Sequence, residues 1–173
     1  MMNDNDIFLI DSNALMQPYR FFYAFDLVPS YWDRLRGYLA SGRIVILDIV
    51  KEEIEKGQDR LSKWMSEVDG LVIISKITEE TIKYYGDVIQ YIATSGYYKE
   101  SAVTSWAQAS VADPWIIASA KANGFTIVTQ EVVSGGLSKK TPNKMAKIPD
   151  VARHFEINTI DIYEMMRSLE IRI

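Results

Sequence analysis

The stretch Ile7-Phe8-Leu9-Ile10-Asp11-Ser12-Asn13 decides the fold class. Four apolar residues run without alternation and stop at an acid followed by small polar residues. A strand with one wet face alternates apolar and polar side chains, whereas a strand buried on both faces, as in a parallel sheet, is apolar throughout. Ile44-Val45-Ile46-Leu47 and Phe125-Thr126-Ile127-Val128-Thr129 repeat the pattern, and Leu71-Val72-Ile73-Ile74 is a shorter instance.

Helical stretches separate these runs. Pro29-Ser30 opens a helix to about Ala40, with Tyr31, Leu35, Tyr38 and Leu39 on one stripe and Gly42 closing it. Asp48 is placed to cap a helix that runs to Gly57 and resumes from Asp59 to Val68. Thr78, with Glu79 and Glu80 behind it, starts a helix with Ile82, Tyr85, Ile89 and Ile92 on its apolar face. Gly96–Ser110 also reads as helical. Asp113-Pro114 begins a helix ended by Gly124, with Asp113 as N-cap and Pro at the first helical position. Val132–Pro149 reads as a loop. A short helix near Val151–Phe155, a strand near Thr159-Ile160 and a helix from Asp161 complete the chain. Strand–helix alternation of this kind builds right-handed crossovers and a parallel sheet with helices on both faces. The 173 residues suit one domain spanning residues 1–173.

Composition narrows the chemistry. There is no Cys and one His, which excludes disulfides, thiolate metal sites, a Cys nucleophile and a multi-histidine metal centre. A metal in this chain needs oxygen ligands, as Mg²⁺ and Mn²⁺ do. Lys and Arg number 19 against 23 Asp and Glu, a formal charge of −4. No apolar run approaches the roughly 20 residues needed to span a bilayer. The acidic N-terminus, Met1-Met2-Asn3-Asp4-Asn5-Asp6, is the opposite of a signal peptide. A cytoplasmic protein without a membrane partner is expected.

In open parallel sheets, sites form beyond the carboxyl ends of the strands. Asp11 follows the first strand there, and Glu131 lies two residues beyond Thr129. Asp113 opens the helix leading into that last strand. Val50, Glu53, Ile54 and Gly57 follow i, i+3, i+4, i+7 spacing, so helical phase assigns Glu53 to the core-facing stripe. Its side chain then leans back toward the strand ends. Acids gathered at one sheet edge repel unless protonated or bridged by cations, and a divalent metal resolves that conflict.

In this order the motifs resemble those of the PIN-domain nucleases. Phe8-Leu9-Ile10-Asp11-Ser12-Asn13-Ala14-Leu15 is similar to their opening strand and its acid. Val50-Lys51-Glu52-Glu53-Ile54 is similar to the acid-bearing second helix. Ala112-Asp113-Pro114-Trp115-Ile116-Ile117-Ala118-Ser119-Ala120 resembles their Asp-x-x-Ile-x-Ala-x-Ala helix, and Gly124–Glu131 their last strand with its Thr-x-Asp element. The tail from Ile148-Pro149-Asp150-Val151 to Met166 resembles a PIN-like subgroup of unassigned role. The resemblance implies a three-layer α/β/α fold and a Mg²⁺- or Mn²⁺-dependent endoribonuclease. Many such proteins are VapC-type toxins neutralised by a co-encoded antitoxin.

Carried over by residue, the resemblance makes Asp11, Glu53, Asp113 and Glu131 the catalytic and metal-binding acids, with Asn13 and Thr129 in support. Glu131 departs from the usual Asp, and its extra methylene suits a water-bridged role. Asp150 is a further candidate. Lys139, Lys140, Lys144 and Lys147 stand in an acid-free segment that starts beside Glu131, and are expected to form a mobile flap on RNA phosphates. Tyr19, Phe21, Phe22, Tyr23 and Phe25, around Arg20, suit a core or a homodimer interface, or a surface for unpaired bases or an antitoxin helix. His154 reads as a helix-surface residue.

Rival readings fit less well. A haloacid-dehalogenase-type phosphatase needs Asp-x-Asp where Asp11-Ser12-Asn13 stands. A receiver domain needs its acid pair after the strand, whereas Asp4 and Asp6 precede it. A non-catalytic PIN-like module that binds RNA or protein is the alternative to the enzyme.

Overall fold

A computed structural model describes residues 6–173. Met1–Asn5, with Asp4 and most of the acidic N-terminus, lie outside the described residues. The chain packs as two compact units. The first comprises the described residues through Ser75 together with Thr126–Gln130 and Ile160–Ile173. The second comprises Lys76–Phe125 and Glu131–Thr159.

The sheet is built from β1 (Phe8–Ile10), β2 (Ile44–Leu47), β3 (Ile73–Ile74), β4 (Thr126–Val128) and β5 (Thr159–Ile160), in the order β3-β2-β1-β4-β5. β1 pairs in parallel with β2 and β4, and β2 in parallel with β3. Every residue of β1, β2 and β4 is buried. Successive side chains of a strand point to opposite faces, so both faces of the central sheet are covered. This is the α/β parallel-sheet class expected from the apolar runs.

In the first unit α1 (Ser12–Gln17) passes without a break into a π-helical turn, Pro18–Phe22, a local widening that sequence periodicity does not signal. α2 (Pro29–Ala40) buries Tyr31, Trp32, Leu35 and Leu39, close to the stripe read from the sequence. α3 (Asp48–Lys56) follows β2 directly. Asp48 is its first residue rather than its cap, and Asp48 Oδ1 accepts the Ile49 amide at 2.8 Å. α4 (Arg60–Ser66) is capped by Asp59, which accepts the Ser62 amide at 3.1 Å. The aromatic cluster divides. Phe25 stacks on Trp32 at 4.2 Å and Tyr23 lies 4.5 Å from Tyr31, whereas Phe21 and Phe22 are 71% and 54% exposed. α9 (Ile162–Ser168) opens with a capping box between Asp161 and Glu164.

In the second unit α5 (Glu79–Thr94) is capped by Thr78, as expected, but buries Thr81, Val88 and Ile92, while Ile82 is 47% exposed. The Thr81 hydroxyl is satisfied by Thr78 Oγ1 at 2.8 Å, and that pairing lets a polar residue take the buried stripe. α6 (Glu100–Trp106) occupies only part of the expected helix. α7 (Asp113–Asn123) is buried nearly all round, through Pro114, Ile116, Ile117, Ala118, Ser119 and Ala120. Gly124 ends it at φ +71°, a conformation that suits glycine. α8 (Ile148–His154) starts earlier than its apolar pattern suggests.

Leu9 is fully buried in the middle strand of the sheet. Leu9→Ala should cost about 2–5 kcal/mol, measured by urea unfolding.

Candidate functional site

The first unit places Asp11 one residue beyond β1 and Thr129 one residue beyond β4. The register that sets Ile10 beside Val128 brings the two together. Asp11 is 3% exposed. Thr129 Oγ1 donates to Asp11 Oδ2 at 3.0 Å, and Ser12 Oγ stands 3.5 Å from Oδ1. Gln130 N–H donates to Asn13 Oδ1 at 2.8 Å, which fixes which end of the amide is oxygen. Asn13 Nδ2 is therefore the donor to Thr129 Oγ1 at 3.3 Å. The Thr129 hydroxyl has two acceptors in reach, Asp11 Oδ2 at 3.0 Å and Asn13 Oδ1 at 3.3 Å. The result is a hydrogen-bonded relay that links the Gln130 amide, Asn13, Thr129 and Asp11. Thr129 thus contacts Asp11 directly, and Asn13 reaches it through Thr129.

Glu53 departs from expectation. The buried residues of α3 are Ile49, Val50 and Ile54, and Glu53 is exposed. Helical phase sets only the direction in which a side chain leaves the axis. Burial also needs a neighbouring element at the same height, and among the described residues Glu53 is left exposed.

In the second unit, Asp113 and Glu131 line one cleft of about 100 Å³ with Trp106, Val111, Met145 and Ala146. α7 begins one residue before the capping reading requires: Ala112 is the N-cap and Asp113 is the first helical residue. There its charge still faces the positive end of the helix. Glu131 has a role that its own segment does not reveal. Its Oε2 accepts the Ile148 amide at 2.8 Å and its Oε1 meets Lys147 Nζ at 3.3 Å. Glu131 therefore anchors the start of α8, and Lys147 partners it rather than standing free for phosphate.

The lysine segment is tied down, in contrast to the expected mobile flap. Asn143 pairs with the backbone on both sides, its N–H donating to Tyr97 O and its carbonyl accepting the Lys99 amide, each at 2.8 Å. Ser134 N–H donates to Asp150 Oδ2 at 2.9 Å. Lys139 Nζ sits 5.5 Å from the centre of the Tyr97 ring, while Lys140 and Lys144 are exposed. Asp150 is 6% exposed. His154 is a surface helix residue, as expected, and stacks on Tyr91 at 3.7 Å.

Among the described residues, no group of three or more His, Asp or Glu side chains is arranged as a metal-holding cluster. Mg²⁺ keeps several waters and is commonly held by one or two carboxylates with substrate phosphate. The hard oxygen donors of Asp11, and of Asp113 with Glu131, suit that mode of binding.

The residues from Phe8 to Ile173 match the model of a family described as a domain of unknown function (DUF4411). The chain belongs to the DUF4411 family. No curated protein matches it significantly. A solved structure of VapBC2 from Rickettsia felis, bound to a DNA fragment from their promoter, is similar with a TM-score of 0.54 and 17% identity. The alignment covers 90% of this chain and 98% of that one. At this identity the likeness shows the fold alone: this DUF4411 chain has the PIN-like α/β fold. No helix among the described residues is long and apolar enough to cross a membrane.

Thr129→Val should remove the link between Asp11 and Asn13 and cost about 1–3 kcal/mol, since the buried Asp11 carboxylate loses a partner. Thr129→Ser, which retains the hydroxyl, should recover most of the loss in the same urea-unfolding measurement.

Proposed function

We propose that the protein is a metal-dependent endoribonuclease that hydrolyses RNA phosphodiester bonds, and that it is the toxin of a toxin–antitoxin pair. The observation that carries this reading is the buried Asp11 carboxylate beyond the end of β1, aimed by the Asn13–Thr129 relay. A buried carboxylate is costly, and a divalent cation is the partner that turns it to use. The PIN-like fold and the cleft shared by Asp113 and Glu131 support the same reading.

When bound, Mg²⁺ or Mn²⁺ would acidify a water and polarise a phosphoryl oxygen. Asp11 in the first unit and Asp113 in the second are each a proposed metal ligand. Glu53, exposed on α3, would orient the attacking water. Glu131, already engaged by Lys147 and the Ile148 amide, would act through water. Attack on a phosphodiester needs little covalent chemistry from the protein, so a site without Cys, in a chain whose one His is stacked on Tyr91, suffices. Lys139, Lys140 and Lys144 would meet the RNA backbone. Phe21, Phe22 and Leu27, all exposed, are the surface proposed for an antitoxin segment.

One observation favours the second reading, a non-catalytic PIN-like module that binds RNA or protein. Both oxygens of Glu131 are spent on holding α8.

Asp11→Asn and Asp113→Asn should each lower Mg²⁺- or Mn²⁺-dependent RNA cleavage by about a hundredfold or more. Unchanged far-UV circular dichroism would show that both variants fold. Full cleavage by both variants would remove these two acids from the chemistry, and no metal-dependent cleavage by the unaltered chain would leave the binding-module reading. Reversing Lys139 and Lys140 to Glu should weaken RNA binding and reduce the salt slope by about one for each phosphate no longer neutralised. An unchanged slope in a filter-binding series would remove these lysines from the RNA path.

A further inference from the structure

The second unit holds a cleft that the proposed chemistry does not use. Tyr91, Tyr97, Ser134, Asp150, Arg153 and His154 line it, and it encloses about 340 Å³. That volume falls in the range of small-ligand sites, about 300–1,000 Å³.

Its most unusual member is Asp150, a carboxylate that is 94% buried. The Ser134 amide reaches Oδ2 at 2.9 Å, and no hydrogen bond reaches Oδ1 among the described residues. A carboxylate offers about four acceptor sites, so most of its capacity is unused. The walls are aromatic. Tyr91 lies flat on His154, with ring centroids 3.7 Å apart and planes 11° apart, which fixes the orientation of the tyrosine ring. Burial, then the neighbouring tyrosines, then Asp150 raise the Tyr91 and Tyr98 hydroxyls above their usual range, so both phenols stay protonated donors. Cations stand around the rim. Arg153 lines the cleft, and Lys139 reaches over Tyr97 with its stem against Gly96.

A buried acceptor, flat apolar walls and cations at the rim match the parts of a nucleotide: donors on a base edge, a ring face and a phosphate. The acceptor-only carboxylate selects among bases. Guanine carries N1–H and the N2 amino group side by side, and both can point at one carboxylate. Adenine and cytosine set a ring acceptor beside their amino group, and uracil flanks its single N–H with carbonyls. In each of these the second carboxylate oxygen meets an acceptor.

We propose that this cleft reads a guanine base of the RNA substrate, with Asp150 as the specificity residue. The placement rests on RNA being the substrate. Ser134, which holds Asp150, follows Glu131 by three residues, a reach of about 10 Å or less. Ile148, held by Glu131, precedes Asp150 by two. The base read here therefore belongs to a nucleotide close to the one whose phosphate meets the Asp113–Glu131 cleft.

The test is a titration of the full chain, free of divalent metal, with the 5′-monophosphates of guanosine, adenosine, cytidine and uridine, followed by tyrosine fluorescence. GMP should bind about tenfold or more tightly than the others, the discrimination expected of a bidentate pair. Asp150→Asn still accepts the Ser134 amide but turns an amino group toward the base, and should lose the preference for GMP. Circular dichroism checks its fold. His154→Ala, at the surface, should weaken GMP binding without touching Asp150 and serves if Asp150→Asn misfolds. Equal affinities for the four nucleotides, or a GMP preference retained in a folded Asp150→Asn chain, overturn the proposal. Mapping cleavage on RNA separates the two readings. GMP selectivity without cleavage defeats the nuclease alone. Cleavage with no guanosine at a fixed offset defeats the guanine reading and leaves the nuclease.

Discussion

In a parallel pair of strands, the residue just past one strand end stands beside its counterpart past the other. Ile10 opposite Val128 therefore sets Asp11 beside Thr129. A shift of register by one residue would exchange the faces of every side chain and point Asp11 away from the Thr129 hydroxyl. The apolar packing of β1, β2 and β4 guards that register, because each residue of these strands is buried and a slip would disturb both layers. The candidate chemistry thus depends on the same burial that stabilises the fold. The relay from Gln130 through Asn13 to Thr129 reinforces a position the sheet has already fixed.

Much of this was legible in the chain. Continuous apolar runs gave away doubly covered strands, Thr78 and Gly124 marked helix ends by their capping chemistry, and the helices read from Asp59 and Asp161 are capped by those residues. Local errors share one cause: burial is a tertiary property. Ile82 has the residue type for the core and Thr81 does not, yet the pairing of Thr81 with Thr78 reverses their places. Glu53 has the helical phase for burial but stays exposed. Asp113 stands where a cap is expected, and α7 simply starts at it.

The less legible part of the site consists of contacts between distant residues. Glu131 and Ile148 are separated by 17 positions, and nothing near Glu131 shows that it anchors a helix. The same contact explains why Lys147 behaves unlike Lys140 and Lys144, although all share an acid-free segment. Asn143 ties the lysine segment to Tyr97 and Lys99 by backbone hydrogen bonds that no local pattern announces. Asp150 gains its character only from Ser134 and the tyrosines around it. A polar residue within an otherwise apolar helix start, Ile148-Pro149-Asp150-Val151, was the one hint available in sequence.

The proposed chemistry depends on divalent metal reaching the buried Asp11 carboxylate or Asp113. Crystals soaked in MnCl₂ and measured near the manganese absorption edge test it without reference to any RNA. The account predicts an anomalous peak bonded to the carboxylate of Asp11 or Asp113. A well-phased map with both carboxylates ordered and no manganese at either would contradict it.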